Sequence, residues 1–354
     1  MQHAVRIVAT VIGALAGALV VAACGPSAPA APTPQPAQAE PKPPPAAAPR
    51  IQLTIGYGAI TGSYIPLWVA QEIGSFEKYG LEVELSYLPG NTGPQSLVSG
   101  QVPVVALSGF ASVPSMVEGA DLVMVAATVQ RLPAVVYGTP GVETPEALRG
   151  KRLGITRPGT LTHFGALVAL REWGLRPDQD VTLVSMSENP NILSGLVGGA
   201  IDAGVLTEPT GFNAAKLGYP VLMDLAAYPR EYIAAGFTTT TAYLQQQRPV
   251  LLSILKAFAE GQKRFYEDKP FTLEVIRKYA RYDDPEVLEK TYTLYAEQYF
   301  VKVPLPSVQG IQNILDDYAQ VNPRAREVDA TRLVDPSLVA ALQREGFYRA
   351  LGFE

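Results

Sequence analysis

Short apolar strands alternate with helical patterns over most of this 354-residue chain, and this alternation restricts its fold more than any other feature. Strands and helices take turns over residues 53–128, and a second series of the same kind begins near Thr139. In the segment "LEVELSYL", Leu81, Val83 and Leu85 fall on one side of a strand with period two. Strands that alternate with helices predict a mostly parallel α/β sheet, here repeated in two units.

The character of the chain changes after "FTTTT" near residues 237–241, and from Arg248 onward the pattern is helical only. Two connections, at 137–141 and 234–237, are candidates for crossings between the units. If both are crossings, the helical tail completes the first unit and a cleft separates two lobes. The predicted boundaries are 51–137 for the first part of lobe 1, 138–236 for lobe 2, and 237–354 for the completion of lobe 1 with the C-terminal helices.

The N-terminal region contains the only cysteine of the chain, Cys24. Arg6, the apolar run 7–23 and the small residues that end it are the parts of a secretory signal. "VAAC" looks like a bacterial lipobox, in which the cysteine is acylated and becomes the mature N-terminus. The sequence therefore predicts a signal peptide at 1–23, lipidation at Cys24 and a Pro/Ala-rich tether over 24–50. A short membrane anchor with an incidental cysteine is the alternative.

Composition excludes several classes of protein. The formal net charge is −5 and no basic run is present, which argues against nucleic-acid binding. A lone cysteine excludes internal disulfides and multi-cysteine metal sites. No Ser-His-Asp order, CxxC pair, Walker loop or complete GxGxxG occurs. We expect a monomer without cofactor or metal, and 47% apolar residues suffice for a large core.

The segments "GSYIPLWVAQEIGSFEKYGLEVELSYLPGNT" and "LVSGQVPVVALSG" resemble the NMT1/THI5-like and SsuA-like periplasmic binding proteins, the solute receptors of ABC importers. The likeness continues through "TPEALRGKRLGITRPGT" and "LVGGAIDAGVLTEP" and covers 52–320 in order. This resemblance implies the type II periplasmic-binding fold, in which two lobes joined by a two-strand hinge close over a small molecule. It also implies a permease and an ATPase as partners.

Candidate ligand contacts in lobe 1 lie after its first three strands, because ligands of open α/β sheets bind beyond the carboxyl ends of strands. Ser63, Asn91 and Thr92 offer polar side chains there, although each could only cap a helix. The resemblance implies that Ser108 and the Gly109 amide face the cleft. The predicted contacts of lobe 1 are Gly62, Ser63, Tyr64, Asn91, Thr92, Ser108 and Gly109.

Lobe 2 offers a second set of candidates. Thr160 and Thr162, with free backbone amides, would suit an anion or a carbonyl group. His163 is either a ligand contact or a helix-surface residue. Glu208 could accept hydrogen bonds from an amine or aminopyrimidine, or form a hinge-side salt bridge. Arg131 could pair with a ligand carboxylate or sulfonate, or stitch the hinge.

These observations predict a non-catalytic solute receptor on the outer side of the cytoplasmic membrane or in the periplasm. A eukaryotic branch of the superfamily makes the thiamine pyrimidine with its own histidine and a cysteine-rich iron motif, but one cysteine and one mature histidine do not fit such an enzyme. A ligand-sensing lipoprotein stays open. An ionised Glu208 would repel small anions, so a donor-bearing heterocycle such as a pyrimidine is the expected ligand, with a sulfonate or other anion as the alternative.

Overall fold

Two five-stranded sheets organise the computed structural model, which describes residues 50–354. The predicted signal peptide, Cys24 and most of the tether lie outside the described residues. In chain order the strands are β1 (Ile51–Tyr57), β2 (Leu81–Tyr87), β3 (Val104–Leu107), β4 (Leu122–Val129), β5 (Ala134–Gly138), β6 (Arg152–Ile155), β7 (Thr182–Ser185), β8 (Ala203–Thr207), β9 (Val221–Asp224) and β10 (Ala235–Thr240).

The two sheets have the same arrangement. The sheet of lobe 1 has the order β2-β1-β3-β10-β4, and the sheet of lobe 2 has the order β7-β6-β8-β5-β9. In each, the first three strands pair in parallel and the fourth position is held by an antiparallel strand. That antiparallel strand is the one next to a crossing between the lobes. The predicted α/β class with two lobes is confirmed.

Fourteen helices flank the sheets within the described residues, and all those after β10 belong to the C-terminal region, as the change in sequence pattern predicts. Asp268, Asp284 and Ser307 each cap a helix by accepting a hydrogen bond from its first turn. The helices are α1 (Ile65–Glu72), α2 (Ser75–Lys78), α3 (Thr92–Val98), α4 (Gly109–Val117), α5 (Leu161–Glu172), α6 (Asn189–Val197), α7 (Thr210–Lys216), α8 (Thr241–Gln246), α9 (Arg248–Glu267), α10 (Lys269–Ala280), α11 (Pro285–Leu294), α12 (Val308–Tyr318), α13 (Ser337–Arg344) and α14 (Phe347–Ala350).

Two chain segments cross between the lobes, at 130–133 and 228–234, and lie side by side. The Tyr232 N–H donates to the Gln130 carbonyl at 2.9 Å. The sequence placed these crossings later. Residues 137–138 instead lie within β5, which pairs with β8 and β9 inside lobe 2. The glycine and proline at 139–141 mark a turn after a strand, and the strand that precedes them already belongs to the second lobe.

The C-terminal helices complete lobe 1 by packing on its first helix. Gly261 of α9 approaches α1 so closely that an added Cβ would lie 2.4 Å from the Pro66 carbonyl oxygen. Trp68 of α1 stacks on Tyr279 of α10 with ring centroids 5.2 Å apart. No helix among residues 50–354 is both long enough and apolar enough to cross a membrane.

Candidate functional site

A cavity of about 330 Å3 lies between the lobes, at the carboxyl ends of their parallel strands. Lobe 1 lines it with the loops after β1, β2 and β3, and lobe 2 with those after β6, β7 and β8. The turn after α10, residues 280–282, contributes a further part of the wall. The strand ends are where the sequence predicts the site.

Five of the predicted contacts line this cavity, namely Ser63, Tyr64, Ser108, Thr160 and Thr162. The two serines already have hydrogen-bond partners within lobe 1. The Ser108 Oγ accepts from the Ala111 N–H at 3.2 Å, and the Ser63 Oγ lies 3.3 Å from the Tyr295 Oη. Both hydroxyls face the cavity from a wall that is largely hydrogen-bonded to itself.

Neither predicted glycine lines the cavity. The Gly62 N–H donates to the Glu208 carbonyl at 3.2 Å, and an added Cβ would lie 2.1 Å from the Tyr295 ring. Gly62 therefore makes room for a tyrosine rather than for a ligand. The Gly109 N–H donates to the Ile233 carbonyl at 2.8 Å, so the expectation of a free amide facing the cleft is corrected.

Three other predicted contacts lie outside the lining. Asn91 and Thr92 are exposed at the start of α3, and Arg131 is exposed in the first crossing segment. Asn91 is near the rim, because its Oδ1 is 3.6 Å from a Cβ built on Gly159 of the facing lobe. Arg131 does not line the cavity and forms no ion pair within residues 50–354, so no salt bridge from Arg131 joins the crossing segments there.

The loop before α5 carries a cluster of three threonine hydroxyls that line the cavity. The Thr156 Oγ1 is 2.8 Å from that of Thr160 and 2.7 Å from that of Thr162. The Thr162 Oγ1 also accepts from the Thr156 N–H at 2.9 Å. The sequence pattern predicts Thr160 and Thr162 as contacts but not Thr156, which directly follows β6.

His163 supports this loop from outside the lining. Its Nδ1 accepts from the Gly159 N–H at 3.1 Å. Burial lowers the pKa of the imidazole, while the charge of Asp178 opposes that shift. Burial thus favours the neutral ring, which fixes the loop rather than lining the ligand space.

The side chain of Glu208 is buried below the cavity, with 4% of its surface exposed. Its Oε2 accepts from the Phe212 N–H at 2.6 Å, and it forms no salt bridge with any residue of 50–354. Burial raises the pKa of this carboxyl to about 8, against the effect of the Phe212 N–H and with a further rise from Asp224. The carboxyl is mostly protonated at neutral pH. The expected charged carboxylate at the cleft wall is corrected, and the preference for a donor-bearing heterocycle loses its basis.

Three charged residues that the sequence analysis did not select line the cavity: Arg157, Glu188 and Arg281. The Glu188 Oε1 accepts from the Tyr87 Oη at 3.1 Å. Neither arginine forms an ion pair with a carboxylate of residues 50–354. With the charges of the three side chains counted together, the lining has a net charge of +1. This net charge is visible only in the tertiary structure, because nothing in the sequence distinguishes these three residues from ordinary surface charges.

Two polar side chains of the lining have unused hydrogen-bonding capacity. The Asn189 Oδ1 accepts from the Thr207 N–H at 3.1 Å, which leaves its amide nitrogen as the free donor. The Thr207 Oγ1 is buried without a partner in the described part of the chain. Thr207 directly precedes Glu208, which the sequence analysis selected in its place.

Backbone strain also concentrates at this site. Ser187 and Arg281 have φ of 71° and 57°, and both line the cavity. Only one other non-glycine residue of 50–354, Asp178, has a positive φ. Such conformations cost roughly 1–3 kcal/mol each and cluster at functional sites. No group of three or more His, Cys, Asp or Glu in this range could hold a metal ion.

Comparison with protein families gives one match, to the model described as NMT1/THI5 like, over residues 61–269, more than half of the chain. A search of curated proteins finds no match.

Solved structures share the fold at low sequence identity. A protein from Bordetella bronchiseptica RB50 is 19% identical with a TM-score of 0.73, over 84% of this chain and 98% of that one. The alkanesulfonate-binding protein SsuA from Xanthomonas axonopodis pv. citri is 19% identical with a TM-score of 0.68, over 82% and 99%. The nitrate-binding protein NrtA from Synechocystis PCC 6803 is 13% identical with a TM-score of 0.65, over 83% and 89%.

Proposed function

Since the chain belongs to the NMT1/THI5-like family, we propose that it is the solute-binding component of an ABC importer and that it captures a small organic anion between its lobes. The observation that carries the ligand class is the net charge of +1 on the cavity lining, with two arginines that have no carboxylate partner in residues 50–354. An anion would supply the missing countercharge, and guanidinium groups bind carboxylates and sulfonates in a bidentate manner.

The rest of the lining suits an organic body attached to the anionic group. Ile60, Leu107 and Leu161 contribute apolar surface, and Tyr64 and Tyr87 contribute rings. Ligand pockets typically combine such apolar walls with a few polar groups that fix orientation. The names of two structural neighbours, an alkanesulfonate-binding and a nitrate-binding protein, favour the same class.

A donor-bearing neutral ligand is the second candidate, and Glu188 is the observation that favours it. This carboxylate lines the cavity and has one oxygen bonded to Tyr87, so its other oxygen could accept from an amine. Catalysis has less support, because no histidine or cysteine of residues 50–354 lines the cavity.

The experiment is a thermal-shift and calorimetric screen of the chain from residue 50, with matched charged and neutral probes. The probes are ethanesulfonate, benzenesulfonate, benzoate, nitrate, benzenesulfonamide and 4-amino-2-methylpyrimidine. A ligand at a hundredfold excess over Kd stabilises by about 2.7 kcal/mol. We expect the largest stabilisation by benzenesulfonate or benzoate and a smaller but measurable one by benzenesulfonamide. Stabilisation by the pyrimidine alone would refute the anion and support the second candidate.

Localisation is part of the proposal. We expect secretion, acylation at Cys24 and a location outside the cytoplasmic membrane, where a tethered receptor would deliver ligand to the permease. Cys24→Ser should abolish acylation and release the protein from membranes. Unchanged membrane association and an unchanged mass of the mature N-terminal peptide would contradict it. Deletion of the permease separates transport from sensing, because it would abolish uptake of the ligand but leave the output of a sensor intact.

A further inference from the structure

The segment 280–286 runs from the last residue of α10 through the connecting turn into the first residues of α11, and it reaches the cavity from the C-terminal helices. Residues 280–282 line the cavity, yet they lie beyond residues 61–269 that match the family. Arg281 ends α10 with a φ of 57°, a conformation that usually falls to glycine at the end of a helix. The backbone conformation therefore does not favour arginine at position 281. The cavity that Arg281 lines offers a functional reason for this residue type.

This segment is fixed to lobe 1. Tyr279 stacks on Trp68 of α1, and both the Tyr279 hydroxyl and the Lys278 ammonium group donate to Glu72 at the end of the same helix. Arg281 follows directly and lies near Tyr57, where its charge opposes the burial that raises the pKa of the Tyr57 hydroxyl.

The same segment also contacts lobe 2 at both ends of α7. The Tyr282 Oη is 2.7 Å from the Thr210 Oγ1 at the first residue of that helix. The Lys216 Nζ at its last residue is 2.7 Å from Asp284 and 2.9 Å from Glu286. These contacts join residues of different lobes, so they exist only when the lobes are close together.

The two arginines of the lining flank a pair of tyrosines. Tyr57 and Tyr87 end neighbouring strands, and their ring centroids are 5.6 Å apart. Arg157 of lobe 2 is close to Tyr87, and Arg281 is close to Tyr57. Positive charge thus reaches the cavity from lobe 2 and from the C-terminal helices, because Arg157 and Arg281 both line it.

We propose that residues 280–286 form a clasp in which Arg281 is a specificity-determining residue that contacts the anionic group of the ligand. The contacts of the clasp with α7, from Tyr282 to Thr210 and from Asp284 and Glu286 to Lys216, hold the lobes closed. This inference rests on the proposed function. Arg281 would select the charge of the ligand, and its neighbour Tyr282 would hold the lobes closed. Substitution of one residue at a time can therefore separate the two effects.

The test measures binding of benzenesulfonate and of its neutral analogue benzenesulfonamide by calorimetry. Arg281→Gln should weaken benzenesulfonate binding tenfold or more and leave benzenesulfonamide binding unchanged. Arg277→Gln is the matched control, because it removes the same charge from the same helix outside the lining. Tyr282→Phe should weaken both probes by the same factor, whereas Tyr243→Phe, a control in α8 outside the lining, should weaken neither. Lys216→Gln removes the ion pairs with Asp284 and Glu286, so it should also weaken both probes by the same factor.

The outcomes separate the clasp from the proposed function. If the wild type binds benzenesulfonate and Arg281→Gln binds it equally well, the inference is wrong while the anion receptor stands. An equal loss in Arg277→Gln would show a diffuse field effect and would also overturn it. If Tyr282→Phe and Lys216→Gln leave both affinities unchanged, the contacts do not control closure. A wild type that binds no sulfonate or carboxylate overturns the proposed ligand class, and the role of Arg281 with it.

Discussion

The two lobes share one strand order but build different walls of the cleft. On the lobe 1 side, three of the predicted polar contacts are already hydrogen-bonded within the protein: the Ser108 hydroxyl caps α4, the Ser63 hydroxyl contacts Tyr295, and the Gly109 amide is bound to a carbonyl. On the lobe 2 side, the Asn189 amide nitrogen and the Thr207 hydroxyl have no hydrogen-bond partner in residues 50–354, and Arg157 forms no ion pair there. The comparison indicates that the strand-end loops of lobe 1 provide a fixed platform, and that lobe 2, together with the segment around Arg281, identifies the ligand.

The burial of the two sheets agrees with this division. Every residue of β3 and of the edge strand β4 in lobe 1 is buried, and only the other edge strand, β2, has exposed residues among these three. In lobe 2, the edge strands β7 and β9 have exposed ends. Regions with fewer buried apolar contacts open locally at lower free energy. Because both edge strands of lobe 2 have exposed ends, against one edge strand of lobe 1, we expect lobe 2 to open locally at lower free energy.

Truncation of a buried apolar side chain in either lobe should have the largest effect on stability. Phe265 is fully buried against Tyr292 and Phe300 in the helices that complete lobe 1, and Phe265→Ala should lower the free energy of unfolding by about 3–5 kcal/mol. Leu206→Ala in lobe 2 should cost about 2–5 kcal/mol. Hydrogen exchange should rise across the whole protein in the first variant and mainly in lobe 2 in the second. A uniform rise in both would contradict the expected difference in local opening between the lobes.

The buried Glu208 carboxyl should make stability depend on pH. Its pKa is raised from its usual value to about 8, so between those values the folded chain holds a proton that the unfolded chain has lost. The stability that this proton provides is fully present below the usual pKa and is lost as the pH rises towards 8, by up to about 1.4 kcal/mol per unit. Urea unfolding at pH 5 to 8 measures it. Glu208→Gln should flatten the curve and stabilise the protein at pH 8. An equally steep curve in the variant would show that another group titrates.

Removal of the lobe 2 cation should weaken binding without unfolding the chain. A hydrogen bond to a charged group is worth about 1.5–3 kcal/mol, so Arg157→Gln should weaken benzenesulfonate binding roughly tenfold to a hundredfold. Arg149→Gln is the control, because Arg149 is an exposed residue of lobe 2 that pairs with Asp180 outside the lining. Equal affinities of the two variants would place the ligand away from the arginine side of the cavity.

The smallest effect is expected at the lobe 1 wall. Ser108→Ala removes the cap of α4 and should cost about 1 kcal/mol of stability. Because that hydroxyl already accepts a backbone hydrogen bond, affinity should change by less than about threefold. Ser307→Ala removes the cap of α12 away from the cavity and should cost a similar amount. A tenfold loss of affinity in Ser108→Ala but not in Ser307→Ala would show that the strand-end loops of lobe 1 also identify the ligand.

The general position of the site was predictable from sequence, and its atomic detail was not. Strand ends are visible in the pattern of apolar residues, so the loops with Ser63, Ser108 and Thr160 could be found. Which side chain of a loop faces the cavity depends on register, and successive residues of a strand point to opposite sides. A shift of one residue thus separates Thr207, which lines the cavity, from Glu208, which is buried below it.

The sequence by itself determines the α/β class, the two series of strands, the helical tail and the family, because periodicity and local motifs are properties of neighbouring residues. The tertiary structure alone determines which charges share the cavity. Arg157, Glu188 and Arg281 come from three separate segments, and only the packing of α10 on α1 and the hydrogen-bonded crossing segments bring them together. Electrostatic interaction depends on distance in space and on burial, and neither is encoded at any one position of the chain.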